Sequence, residues 1–142
     1  MVSYEGLFFK KKDILKYEKV HLPIINDEIH CTFKYKPNDN ELFNELINKT
    51  YNIKLISYGY SENNSGFEIE LPASLEKYYI NTDKNGNYVK PHITVSISKN
   101  GSSVDTRKLK FTPLQKKITV KGKFGFWIKE DDKEYLSFKR AK

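Results

Sequence analysis

Two His-x-Thr triplets are the part of the sequence whose residue types and spacing could do chemistry. They are His30-Cys31-Thr32 and His92-Ile93-Thr94. Side chains two positions apart on a β-strand project from the same face, at a rise of about 3.3 Å per residue. Each triplet on a strand therefore places an imidazole beside a hydroxyl, and two such strands side by side enclose one small polar space.

Such a space suits a tetrahedral phosphate. A neutral histidine can accept a proton from the attacking hydroxyl or water, while a protonated histidine gives one to the departing oxygen, because histidine titrates near neutral pH. Threonine hydroxyls can bond the non-bridging oxygens as charge develops. This chemistry needs no metal or other cofactor, and the sequence has no His-rich or Asp-rich cluster at metal-ligand spacing.

Each triplet heads an alternating run, which is the pattern of a half-buried β-strand. The polar faces are His30, Thr32 and Lys34 in the first run and His92, Thr94, Ser96 and Ser98 in the second. Cys31 and Phe33 lie on the apolar face of the first run, where Cys31 is expected to fill the core. The similarity of the two runs predicts two similar halves around a pseudo-twofold axis, with the runs facing each other across one cleft.

Other segments are predicted to build the scaffold around these runs. A helix is expected after Pro37, because Asn38 and Glu41 form a capping-box pattern ahead of an apolar stripe. The stripe consists of Leu42, Phe43, Leu46 and Ile47. Further strands are predicted at residues 3–10, 52–60, 67–71, 118–121, 124–129 and 135–138, with Gly6 marking a bulge. The loop at 81–87 precedes the second triplet and is a place to expect substrate contacts.

The length of 142 residues predicts one domain, residues 1–142. Lys and Arg number 25 against 18 Asp and Glu, a net charge of +7, which favours a phosphate-bearing ligand. Arg107 and Arg140 are the only arginines, and lysine lacks the bidentate fork that reads bases. Sequence-specific DNA binding is therefore not expected.

The remaining features concern compartment and the possible ligand surface. Cys31 is the single cysteine, which rules out an internal disulfide and favours a reducing compartment. The sequence has no run resembling a membrane span or a signal peptide, so a cytoplasmic protein and no membrane partner are predicted, and a monomer is expected.

Tyr4 and Trp127 are candidate surfaces for stacking a base, and Lys34 and Ser96 are candidate substrate contacts on the cleft face.

The two motifs resemble those of the 2H phosphoesterases, the LigT-like cyclic phosphodiesterases, whose signature is a repeated His-x-[Thr/Ser]-hydrophobic. The resemblance implies an α+β bilobal fold with two mainly antiparallel sheets around a central cleft and helices outside. It implies His30 and His92 as acid and base and Thr32 and Thr94 as phosphate ligands. The implied substrates are 2′,3′-cyclic phosphates or phosphodiester bonds beside a free 2′-hydroxyl, in RNA ends, 2′–5′ oligoadenylates or cyclic oligonucleotide signals.

The chain is short for that family, which implies an open cleft and favours a small nucleotide over a long structured RNA. The expected function is hydrolysis of cyclic oligonucleotide or 2′–5′-linked signalling nucleotides. Two alternatives stay open: a 2′,3′-cyclic phosphodiesterase of RNA ends, and a module that binds a nucleotide without turnover. A single His-x-Thr triplet on a strand is more often structural than catalytic, so the hypothesis depends on the two triplets meeting.

Overall fold

The strands of the protein lie in one antiparallel sheet. The computed structural model describes residues 1–26 and 28–141. The eight strands of this part are β1 Val2–Phe9, β2 Ile24–Ile25, β3 Ile29–Tyr35, β4 Thr50–Tyr60, β5 Asn64–Glu70, β6 His92–Ile97, β7 Phe111–Glu130 and β8 Lys133–Ser137. Their order across the sheet is β2-β6-β5-β4-β7-β1-β3, and β8 pairs with β7.

Helices are few and short in the described residues. They are α1 Lys11–Leu15, α2 Ala73–Glu76 and three 3₁₀ helices, Asp39–Glu41, Asn44–Leu46 and Ser103–Lys108. About 49% of the chain is strand and 15% is helix. Within residues 1–26 and 28–141, no helix has the length and apolar character to cross a membrane.

The expected bilobal α+β fold with two sheets is therefore wrong. The reason lies in β7, whose 20 residues run through both halves of the molecule. Its first part pairs with β4 and its second part with β1, so the two halves share one strand and one continuous sheet. Helical layers outside the sheet are absent from the described part of the chain, because the connections are 3₁₀ turns or helices of four or five residues.

The long helix predicted after Pro37 is also wrong, although its capping box is present. Asn38 and Glu41 bond each other as predicted, but the helix ends at Glu41 and the backbone of Leu42 is extended. The next amide, that of Phe43, donates to the buried Glu5 carboxylate at 3.0 Å instead of to a helical carbonyl. A long-range acceptor thus ends the helix.

Most of the predicted strands are present with altered ends. The strands expected at 118–121 and 124–129 form one strand, β7, which also contains Pro113. Proline lacks an amide donor and is tolerated in a sheet where the ladder is irregular. Pro113 satisfies this rule because the register between β4 and β7 shifts between Leu55 and Ser57, and Ser57 is its partner. The short strand β2 was not predicted.

A β-bulge lies in the first motif strand. Gly6 of β1 pairs with Thr32, whereas the preceding Glu5 pairs with Lys34, so Phe33 is the extra residue. A Cβ atom on Gly6 would overlap the carbonyl oxygen of Cys31. The absence of a side chain lets β1 approach the His-x-Thr segment closely, and the bulge predicted at Gly6 is confirmed.

The second motif strand carries the same bulge at the same position. Gly66 of β5 pairs with Thr94 and Ser65 pairs with Ser96, which leaves Val95 as the extra residue. A Cβ atom on Gly66 would overlap the carbonyl oxygen of Ile93. In both halves a glycine therefore faces the motif threonine, and the bulge falls three residues after the histidine.

The sheet curls so that β3 and β6 come close although they are not neighbours in its hydrogen-bonded order. Cys31 of β3 is buried, and the backbone of His92 in β6 lies close enough to its thiol to influence the pKa of that thiol. Burial raises the pKa of the Cys31 thiol to about 12, so this cysteine is a buried thiol and not a nucleophile. The core inside the curl includes Leu7, Phe33, Leu55, Phe67, Ile93, Phe124 and Phe126.

We predict that Gly6→Ala and Gly66→Ala each lower the free energy of unfolding by about 1–3 kcal/mol, because the new methyl must displace backbone. Urea denaturation followed by circular dichroism measures the change. Gly86→Asn is the matched control, because Gly86 has φ 81° and open space around its Cβ position, and asparagine tolerates that conformation. Equal midpoints for all three variants would show that close approach does not determine the bulges.

Candidate active site

The two triplets line one cavity that is open to solvent. All four motif residues lie in its wall: His30 and Thr32 from β3, and His92 and Thr94 from β6. The rest of the wall is formed by Asn26, Tyr35, Asn81, Thr82, Val89, Ser103, Val104 and Arg107. The curl of the sheet and the two equivalent bulges are what bring residues from distant parts of the chain to one place.

The two histidines are oriented in the same way. Nδ1 of His30 donates to the carbonyl of Glu28 at 2.8 Å, and Nδ1 of His92 donates to the carbonyl of Lys90 at 2.9 Å. A carbonyl only accepts, so each Nδ1 carries a proton and each Nε2 is the nitrogen left to exchange one with a ligand. Each acceptor lies two residues before its histidine, a third equivalence between the halves.

Both imidazoles have pKa values below the usual histidine range. Burial is the main cause at each ring. The charge of His92 adds to the effect at His30, and the charge of Arg107 adds to it at His92. Both rings are therefore neutral in the free protein at neutral pH, and protonation of one opposes protonation of the other. A bound anion removes this penalty for one ring.

Aromatic rings pack against the imidazole of His30. Tyr4 lies over the imidazole with ring centroids 4.6 Å apart, and Trp127 lies 6.1 Å from Tyr4 on its other side. Phe8 contacts the same imidazole with centroids 5.7 Å apart. Tyr4 and Trp127 are predicted to stack on a base. In the structure they stack on each other, and Tyr4 also stacks on His30. The open aromatic ring in the cavity wall is Tyr35, which is 53% exposed.

The motif threonines differ in their hydrogen bonds. The Thr94 hydroxyl lies 2.7 Å from Oγ1 of Thr106 and 3.2 Å from the carbonyl of Ser103, both in the 3₁₀ helix that also contains Arg107. Thr94 therefore anchors that helix as well as lining the cavity. Thr32 has no hydrogen-bond partner for its hydroxyl among residues 1–26 and 28–141, so this hydroxyl can serve a ligand.

Lys34 and Ser96, predicted to point into the cleft, do not line the cavity. Each follows a bulge, and one extra residue turns the side chains after it to the other face of the strand. Lys34 instead lies 4.0 Å from the carboxylate of Glu41. Ser96 is fully buried, and its hydroxyl lies 2.6 Å from that of Ser65.

Arg107 is the main site residue that sequence reasoning missed. It lies in the cavity wall, half-buried, close enough to His92 and Asp83 to lower the pKa of both groups. A guanidinium can bond two phosphate oxygens at once. Two features of the sequence could have indicated Arg107. It is one of only two arginines, and it follows the second motif.

Asn26 closes the cavity from the chain segment before the first motif. Its backbone amide donates to the carbonyl of Val95 at 3.1 Å, and its side-chain amide donates to the carbonyl of Thr94 at 3.0 Å. These bonds extend the pairing of β2 with β6 and hold Asn26 in the wall. The segment before the first motif thus forms an ordered wall of the site.

Neither a model of a known protein family nor a curated protein sequence matches the chain. The resemblance to the 2H phosphoesterases therefore stays a prediction from the two motifs. In the described part of the chain, no group of three or more His, Cys, Asp or Glu side chains could hold a metal ion.

We predict that His30 and His92 titrate below 6.5 in long-range ¹⁵N–¹H NMR spectra, with both rings protonated on Nδ1 at pH 8. Arg107→Gln should raise the pKa of His92, because it removes a neighbouring positive charge, and should change that of His30 less, because the effect on His30 comes through the charge of His92. Arg140→Gln is the control and should shift neither value. An unchanged pKa of His92 in Arg107→Gln would show that the guanidinium does not act on His92.

Proposed function

We propose that the protein is a phosphodiesterase in which two histidines act as acid and base on one phosphate. The observation that supports this most directly is the equivalent orientation of His30 and His92, each bonded through Nδ1 to a backbone carbonyl and each lining the same cavity. A structural histidine does not need a partner in the same orientation across a cavity. Arg107 beside His92 supplies the positive charge that an anionic substrate requires.

The proposed reaction is attack by the hydroxyl next to the phosphate. One neutral imidazole takes the proton of that hydroxyl at Nε2 as the new P–O bond forms, and the other, protonated imidazole gives its Nε2 proton to the oxygen of the breaking bond. Thr32 and Arg107 bond the non-bridging oxygens, on which charge is concentrated in the transition state. A 3′–5′ bond then yields a 2′,3′-cyclic phosphate as the first product.

The proposed substrates are cyclic oligonucleotides or 2′–5′-linked signalling nucleotides. The net charge of +7 favours polyanions, and the Arg107 guanidinium in the cavity wall can bond phosphate oxygens. The two alternatives are a 2′,3′-cyclic phosphodiesterase of RNA ends and a nucleotide-binding module without turnover. The cytoplasmic location and the monomeric state expected from the sequence belong to the same proposal.

We predict that His30→Ala and His92→Ala each lower kcat/KM by about 10²–10⁴, the usual contribution of a general acid or base. The substrates are a cyclic dinucleotide, a cyclic trinucleotide, 2′–5′ oligoadenylate and a nucleoside 2′,3′-cyclic phosphate, assayed by chromatography with EDTA present. His21→Ala is the control, because His21 is exposed and lies outside the cavity wall. The 2′-deoxy form of any cleaved 3′–5′ substrate should resist cleavage, because it lacks the nucleophile.

Hydrolysis that persists in either histidine variant would contradict the two-histidine mechanism. Binding of one of these nucleotides by the wild-type protein with no product at any pH from 5 to 8 would favour the binding module. Thermal unfolding of each variant checks that a lost activity does not reflect a lost fold.

A further inference from the structure

A second cavity adjoins the first and shares part of its wall. His92 and Arg107 belong to the walls of both cavities, whereas His30 lines the first alone. The rest of the second wall includes Glu68, Tyr88 and Lys90. A phosphate held between the two histidines therefore has space for a substituent on the His92 side.

The loop between α2 and β6 holds Tyr88 at this second cavity. Thr82 and Tyr88 form an isolated β-bridge, which makes the loop a small hairpin. The Asp83 carboxylate accepts the backbone amides of Asn85 and Asn87, at 2.8 and 2.9 Å, and so closes its tip. Tyr88 is 70% exposed, and the ring of Tyr79 supports its edge with centroids 6.0 Å apart.

The hairpin and the ring of Tyr79 thus hold Tyr88 in place, while most of Tyr88 is exposed. An exposed aromatic ring is a surface on which a nucleobase can stack. Glu68 lies opposite His92 in the β5–β6 ladder, and one of its carboxylate oxygens is bonded by Ser57 at 2.6 Å and by Lys90 at 3.4 Å. The fixed carboxylate provides acceptors for the N–H groups on the edge of a base or for a ribose hydroxyl. The aromatic ring of Tyr88 and the carboxylate of Glu68 together fit a nucleoside.

We infer that this second cavity binds the nucleoside that leaves, which makes His92 the general acid and His30 the general base. The inference rests on the proposed function. The 2′-hydroxyl of the nucleoside in the first cavity gives its proton to Nε2 of His30 and forms the bond to phosphorus. The P–O5′ bond breaks, and the electron pair on O5′ takes the proton from Nε2 of His92. The products are a 2′,3′-cyclic phosphate and a free 5′-hydroxyl.

The same assignment narrows the substrate class. A nucleoside 2′,3′-cyclic phosphate carries a nucleoside on one side of its phosphorus and leaves the second cavity empty. A diester between two nucleosides, linear or within a ring, occupies both cavities. The structure therefore favours a diester between nucleosides over a mononucleotide cyclic phosphate.

The test of the two roles is a substrate whose leaving group needs no proton. The probes are the four homodinucleotides with a 3′–5′ ribose linkage, each made with oxygen or with sulfur at the 5′-bridging position. A thiol has a pKa of about 8.5, so the sulfur leaves as an anion. His92→Ala should lose about 10²–10⁴ in kcat/KM on the oxygen substrate and remain within about tenfold of wild type on the sulfur substrate.

His30→Ala should lose activity on both substrates, because the nucleophile still needs a base. Rescue of His30→Ala by sulfur, or of neither variant, would overturn the assignment while leaving a two-histidine phosphodiesterase in place. Failure of the wild-type protein to cleave any of the four dinucleotides would overturn this inference. The proposed function is rejected only if the cyclic, the 2′–5′-linked and the 2′,3′-cyclic phosphate substrates resist cleavage as well.

Tyr88→Ala tests the cavity separately from the chemistry. It should weaken binding of the 2′-O-methyl form of the best dinucleotide about tenfold, measured by calorimetry, and leave binding of the corresponding nucleoside 3′-monophosphate unchanged. Tyr60→Ala is the matched control, because Tyr60 is 59% exposed and lies in neither wall. Equal affinity of Tyr88→Ala and wild type for the dinucleotide would overturn the second cavity as a nucleoside site, whatever the activity of the protein.

Discussion

The close approach of a glycine to each motif strand is the constraint on which the rest of the site depends. Gly6 and Gly66 face Thr32 and Thr94, and neither position leaves room for a Cβ atom against the opposite carbonyl. The extra residue that follows bends each motif strand at the same point. The histidines, the threonines and the carbonyls that orient the imidazoles therefore adopt equivalent positions in the two halves, although the halves share one sheet.

The two histidines have equivalent backbones but different surroundings, and this difference can divide the catalytic roles. His30 is stacked on Tyr4 and contacts Phe8, so its neighbours are mainly aromatic. His92 is near the charges of Arg107 and Glu68. An apolar environment favours a neutral imidazole, which is the form a general base needs. The carboxylate of Glu68 favours the protonated form of His92 that a general acid needs, in opposition to burial and to the charge of Arg107.

The sequence predicted the local features well because they depend on neighbouring residues. Alternation located both motif strands, the capping box of Asn38 and Glu41 is present, and Gly6 marks a bulge. The features it missed depend on distant contacts. The helix after Pro37 is ended by the carboxylate of Glu5, which lies far from it in the chain.

The difference between local and distant contacts also explains which site residues the sequence predicted. The two His-x-Thr triplets meet, as their repetition suggested, but the bulges turn Lys34 and Ser96 away from the cavity. A bulge is defined by the partner strand, so alternation along one strand cannot locate its effect on the residues that follow. Arg107 reaches the cavity because Thr94 holds its 3₁₀ helix there, a contact between side chains that no spacing rule contains.

The central claim is that His30 and His92 act on one phosphate, and the most direct measurement is a crystal structure with a 2′-O-methyl dinucleotide, which cannot be cleaved. The phosphorus is predicted to lie between the two imidazoles, with Nε2 of each ring within about 3.2 Å of one of its oxygens. A dinucleotide bound with its phosphate against only one of these rings, or outside the cavity, would contradict the claim.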